Sequence, residues 1–256
     1  MLLVTGCSFA WGDELDGCEN APPTHWELGW PHILAEKMGM KHRNISMCGN
    51  GNDKIFRDLM KFLRTNNQRD DITHLVVLWS SWERTEIAES YGPGIEEMMK
   101  IQRKECMTQT SPARINLLEN RDIAQAFDYL YDHHDILREQ MIRGLSYMTQ
   151  LQWLCERFGI KLVQGAFHYR MWEEMVDVMK PFLYDGKHPN HHWGEWMKWI
   201  QQDLNYLRDT SRFGLNRYTD LATIAEDLDD YKPQMHPGEK CQPVFANLVK
   251  EAFDTL

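Results

Sequence analysis

Four short strand-like runs recur along this chain: Leu2–Thr5, Asn44–Met47, His74–Trp79 and Lys161–Gly165. Short runs of this kind, bounded by turn residues, read as buried strands. Segments with helical periodicity lie between and after them, at Trp30–Met38, Lys54–Arg64, Ile136–Phe158 and Pro243–Phe253. Strands that alternate with helices build a parallel sheet covered on both faces. The expected architecture is therefore a single α/β domain over residues 1–256. Two stretches break the alternation. Residues 91–134 are polar and helix-prone, and residues 167–235 are rich in Trp, His, Asp and Tyr. Long insertions after strands form lids or binding loops, so both are expected over the carboxyl edge of the sheet.

Composition narrows the function. A chain of 256 residues with 43% hydrophobic content can bury a full core. Its net charge of −10 argues against a nucleic-acid partner, which needs a basic surface. No apolar run is long enough to cross a bilayer, and the N-terminus lacks the basic region of an export signal. A cytoplasmic protein without a membrane partner is the expectation. The six cysteines are widely spaced with no CxxC pair, and in that setting they read as free thiols.

The first run ends at Gly6, and Ser8 then stands between Gly6 and Gly12. In an open α/β sheet, the turn beyond a strand's carboxyl end is where ligands and catalytic groups sit. Ser8 is thus a candidate nucleophile; the alternative is that it caps the following helix. After the second run, Cys48-Gly49-Asn50-Gly51-Asn52-Asp53 leads into a helix. Its glycines permit close backbone approach, and its helix start offers N–H groups to a small oxyanion. The competing reading is an ordinary turn with Asn52 or Asp53 as N-cap. The third run ends in Trp79-Ser80-Ser81-Trp82-Glu83-Arg84. There Arg84 either grips a substrate or pairs with a neighbouring acid. Near the C-terminus, His236 precedes Pro237 just before an amphipathic helix, with Asp227, Asp229 and Asp230 upstream. A serine nucleophile needs a base that titrates near neutrality, which singles out His236. Asp185-Gly186-Lys187-His188-Pro189 offers a second His-Pro pair. His188, His191 and His192 lack a recognised metal-ligand spacing, so no metal and no cofactor are expected.

In chain order these segments resemble the SGNH hydrolases, the GDSL-like esterase superfamily. Gly6-Cys7-Ser8-Phe9-Ala10-Trp11-Gly12 is similar to the nucleophile block, with Cys7 where Asp is usual. Gly49 matches the second block and His236-Pro237 the last. The resemblance implies a three-layer flavodoxin-like (SGNH) α/β fold. It implies Ser8 as nucleophile, His236 as base, and the Ser8 and Gly49 amides as an oxyanion hole. Two departures stand out. Where the family carries a Gly-x-Asn-Asp block this chain has Ser80-Ser81-Trp82-Glu83, so Asn52, Ser81 or Trp82 must supply any third donor. The acid expected three residues before the histidine is Pro233; Asp230 is the nearby carboxylate, and Asp185 with His188 is the alternative pair. The implied activity is that of a serine esterase on a small-molecule or carbohydrate ester, with carbohydrate deacetylation in view. The departing third block also resembles SGNH-like proteins of bacteriophages, which would place the protein in the host cytoplasm. The competing functions are a non-catalytic binding or structural protein of the same fold, and a metal-dependent hydrolase built on His188–His192.

Overall fold

The computed structural model describes residues 1–12, 15, 27–65, 71–82, 136–166, 202, 220–232 and 236–256. Its centre is a sheet of four parallel strands: β1 (Leu2–Gly6), β2 (His42–Asn44), β3 (His74–Trp79) and β4 (Lys161–Ala166), in the order β2-β1-β3-β4. Around it lie α1 (Ser8–Trp11), α2 (Trp30–Met38), α3 (Asn52–Thr65), α4 (Ile136–Phe158), α5 (Leu221–Asp227) and α6 (Cys241–Asp254). This is the flavodoxin-like strand order, in a three-layer α/β fold.

The strands are apolar on both faces because both faces are covered. Alternation along β1 and β3 divides the core. Leu3, Leu75, Val77 and Trp79 join residues of α3 and α4 on one side of the sheet. Leu2, Val4, Val76 and Leu78 join residues of α2, α5 and α6 on the other. Register runs straight across, with Val4 opposite both Asn44 and Val76, and Val76 opposite Val163.

Helices α2 and α4 have the bounds read from sequence, while the second strand sits earlier than its expected Asn44–Met47. The reason is Asn44. Its side chain donates to Ala10 O at 2.7 Å and accepts from Ser46 N at 3.0 Å, which bends the chain out of the strand. Contact with β1 nevertheless persists, through Ile45 N to Val4 O and Met47 N to Gly6 O. The region 91–134 lies outside the described residues. Of the region 167–235, residues 220–232 are packed into the α/β layer through Leu221, Ile224 and Ala225. Asp220 opens α5 there, its carboxylate accepting from Thr223 N and Thr223 Oγ1 at 2.8 and 2.7 Å. Among the described residues no helix is long and apolar enough to cross a membrane.

Candidate active site

Strand order reverses between β1 and β3, and the crevice beyond the carboxyl ends of such strands is the ligand edge of this architecture. Ser8 lies there, 2% exposed, as the first residue of α1. It is not the helix cap. That position belongs to Cys7, whose side chain makes no capping hydrogen bond, while its carbonyl accepts from Ala10 N and Trp11 N. N–H groups of a first helical turn have no acceptor within the helix, so the Ser8 amide points outward as a donor. Gly6 makes the turn possible. A Cβ there would stand 2.8 Å from Leu78 O and 2.9 Å from Ala10 Cβ, closer than real side chains approach.

The Gly49 turn packs against the same strand end. Met47 N donates to Gly6 O at 3.3 Å, and Asn50 Nδ2 reaches that carbonyl at 3.4 Å. Gly49 has φ 78°, a left-handed conformation that favours glycine. Neither proposed cap of α3 is spent on capping. Asn52 turns across to β3, its Oδ1 accepting from Ser80 N at 2.8 Å and its Nδ2 donating to Ser80 O at 3.0 Å. Asp53 accepts from Tyr147 OH at 2.7 Å and pairs with Arg143 at 3.4 Å.

Beyond β3, Trp82 is 1% exposed and belongs to the core. Its indole fills the space that a side chain would take at Gly144 of α4, where a Cβ would collide with the ring. Ser81 is half-buried. Arg84, Asp185 and His188, singled out by sequence, lie outside the described residues.

His236 is half-buried and meets Phe9, the neighbour of Ser8, edge-on with ring centroids 5.7 Å apart. The described residues on either side of it close a turn. Lys232 N donates to His236 O at 2.8 Å, and Tyr231 and Pro237 make an antiparallel bridge. Asp230 braces this turn. Its backbone carbonyl accepts from Gly238 N, and its carboxylate accepts from Cys241 N at 2.9 Å, at the start of α6. Burial and the Asp230 carboxylate together push the Cys241 thiol up to about 12, so it stays protonated and inert at neutral pH. Burial, with Glu226, also pushes Tyr231 up to about 12, and its hydroxyl donates to Ala222 O at 2.7 Å. Among the described residues, Cys7, Cys48, Cys155 and Cys241 form no disulfide. Among the described residues no group of three or more His, Cys, Asp or Glu could hold a metal ion.

Two residues at this edge escaped sequence reasoning. Trp30 Nε1 donates to Phe9 O at 3.2 Å, and Gln242 Nε2 donates to Pro237 O and Gly238 O at 3.3 and 3.0 Å. Gln242 did leave one trace. It is a polar residue on the stripe with Phe245, Ala246, Val249 and Phe253 that α6 buries.

No protein-family model matches the sequence, and no curated protein does. Solved structures similar to this chain include the psychrotrophic esterase EstA from Pseudoalteromonas sp., at 12% identity. That match covers 99% of this chain and 96% of that one, with a TM-score of 0.48. A member of the lipolytic protein G-D-S-L family from Veillonella parvula DSM 2008 is 12% identical over 100% of this chain and 98% of that one, with a TM-score of 0.45. An acetyl-xylooligosaccharide esterase from Geobacillus stearmophilus is 13% identical over 98% and 93% of the respective chains, with a TM-score of 0.40. Likeness at this level settles neither family nor activity.

Proposed function

We propose that this chain is a serine esterase of the SGNH hydrolase type, with Ser8 as nucleophile and His236 as general base. The observation that carries the reading is the convergence of three distant segments on one sheet edge. The Ser8 turn, the Gly49 turn packed on Gly6, and His236 lying edge-on to Phe9 meet at the strand-order reversal.

In the first step His236 takes the Ser8 proton as Oγ bonds to the ester carbonyl carbon. The carbonyl π electrons move to oxygen, and the Ser8 and Gly49 amides stabilise that oxyanion. Collapse expels the alcohol, which takes the proton from His236 and leaves an acyl-Ser8 ester. Water then attacks this ester by the same route and restores Ser8. Asn52 is the best third donor of the three candidates. Ser80 uses one of its two Nδ2 protons and fixes the orientation of the amide. Asp230 acts through the turn it braces, since its carboxylate is committed to Cys241 N. The substrate class is a small-molecule or carbohydrate ester, and the reaction as written needs no cofactor.

The experiment is labelling with a fluorophosphonate. Wild type is expected to label at Ser8, and labelling should vanish in both Ser8→Ala and His236→Ala. A folded wild type that does not label overturns the reading. The second reading, a non-catalytic protein of the same fold, draws on Trp82. Its indole is packed into the core at the position where the family presents an oxyanion-hole Asn. That reading predicts no labelling together with an intact fold.

A further inference from the structure

The Ser8 turn and the His236 turn come from opposite ends of the chain, yet a path of hydrogen bonds through two buried side chains joins them. It begins at Phe9 O, which accepts from Trp30 Nε1 at 3.2 Å. Trp30 N donates to Gln242 Oε1 at 3.1 Å. Gln242 Nε2 then donates to Pro237 O at 3.3 Å and Gly238 O at 3.0 Å. Trp30 is 0% exposed and Gln242 1%. The path ends on the backbone of Phe9, which follows Ser8, and of Pro237 and Gly238, the two residues after His236.

A primary amide offers an acceptor and two donors on one planar group. Gln242 uses all of these at once, on three different backbone groups. Capping α6 does not explain its presence, because the Asp230 carboxylate already serves Cys241 N. A buried amide with these partners also cannot drift without leaving polar groups unpaired, and each such loss is costly in an apolar setting. The helix starts of α2 and α6 therefore hold both turns in one frame.

We propose that Gln242, together with Trp30, is a positioning pair that sets the separation of the Ser8 hydroxyl and the His236 imidazole. The proposal deepens the serine-esterase reading and rests on it. Neither residue touches the substrate. Their effect is on proton transfer, where a misplacement of about 1 Å can cost about 10²-fold in rate.

The molecule supplies its own control. Gln164 is also 1% exposed; it accepts from Trp79 Nε1 at 3.0 Å and donates to Met148 O at 3.2 Å. It spends the same chemistry between β3, β4 and α4, with no bond to either turn. Gln242→Leu and Gln164→Leu should therefore lose comparable stability in urea and differ in catalysis. With p-nitrophenyl acetate, Gln242→Leu is expected to lose about 10-fold or more in kcat, with KM within about 3-fold. Its fluorophosphonate labelling rate should fall in parallel, while Gln164→Leu keeps kcat and labelling within about 2-fold of wild type. Trp30→Phe retains the backbone bond to Gln242 and deletes the bond to Phe9 O, together with part of a buried ring that packs on Phe245. It should shift kcat in the same direction by less, and it carries the test if Gln242→Leu does not fold. Equal kcat in the Gln242 and Gln164 variants, or in Trp30→Phe and wild type, overturns the proposal. If wild type neither labels nor hydrolyses, the esterase reading fails first. The coupling is then read from the NMR shifts of the His236 ring and the Phe9 amide. Movement of both in Gln242→Leu, and not in Gln164→Leu, upholds the mechanical link, and unchanged shifts overturn it.

Discussion

The two edges of the sheet are held by different chemistry. At the amino edge, incoming loops are secured mainly by backbone groups, joined by the exposed Thr73 hydroxyl, which meets the Met1 amino group and His74 Nδ1. Leu2 N donates to Lys41 O at 2.8 Å, Thr73 N to Met1 O at 3.1 Å, and Lys161 N to Thr73 O at 2.9 Å. These bonds prolong the parallel ladder by one step, and any residue with an N–H can make them. At the carboxyl edge the backbone turns away from the ladder, and side-chain amides take over. Asn44 holds Ala10 O, Asn50 reaches Gly6 O, Asn52 binds both backbone polar groups of Ser80, and Gln242 holds Pro237 and Gly238. Buried polar backbone must find partners wherever it leaves regular structure. One edge is consequently tolerant of sequence, and the other is specified residue by residue.

Asn52→Leu is the strongest way to break this contrast. It leaves Ser80 N and O buried without their partner, which should cost about 3 kcal/mol, read from the urea midpoint. A loss under about 0.5 kcal/mol would show that the carboxyl edge does not depend on its amides. A smaller effect is expected from pH at the other edge. Burial holds His74 below its ordinary range, helped by Lys161, so its neutral form is favoured in the folded state. The unfolded chain then binds more protons, so the His74 contribution is present above pH 6.5 and is lost as pH falls through the folded-state value. His74→Gln should flatten the slope of stability against pH on the acid side of 6.5, measured by urea titration across pH. An unchanged slope would remove His74 as its source. The smallest effect belongs to Thr73→Val. The Thr73 hydroxyl is an exposed partner of His74 Nδ1, and its loss should stay within about 0.5 kcal/mol.

The same contrast explains how much was legible in the sequence. The α/β class was readable because burial on both faces writes itself as short apolar runs, and α2 and α4 because their apolar residues recur at helical spacing. Ser8, Gly49 and His236 stood out because turn glycines and a His-Pro pair are local signals. The structure brings their segments to one edge, while their chemical roles remain the proposal above. The second strand was misplaced because Asn44 ends it through a bond to Ala10, 34 residues away. Trp30 and Gln242 are 212 residues apart, and a single long-range amide contact has no period. Gly144 was likewise silent, since its meaning lies in the ring that fills its place. Asp230 was noticed for its charge beside His236, but its carboxylate serves the start of α6.

Gly144 and Trp82 form a peg and socket, and this constrains the order in which such a sequence can change. Replacing Trp82 by Asn alone would empty a space the size of an indole against α4. Enlarging Gly144 alone would drive a side chain into the ring. Each single step is penalised, and a compensating double step less so, which couples the two positions across 62 residues of chain. Position 82 therefore gives up its indole at least cost when position 144 gains a side chain to fill the space.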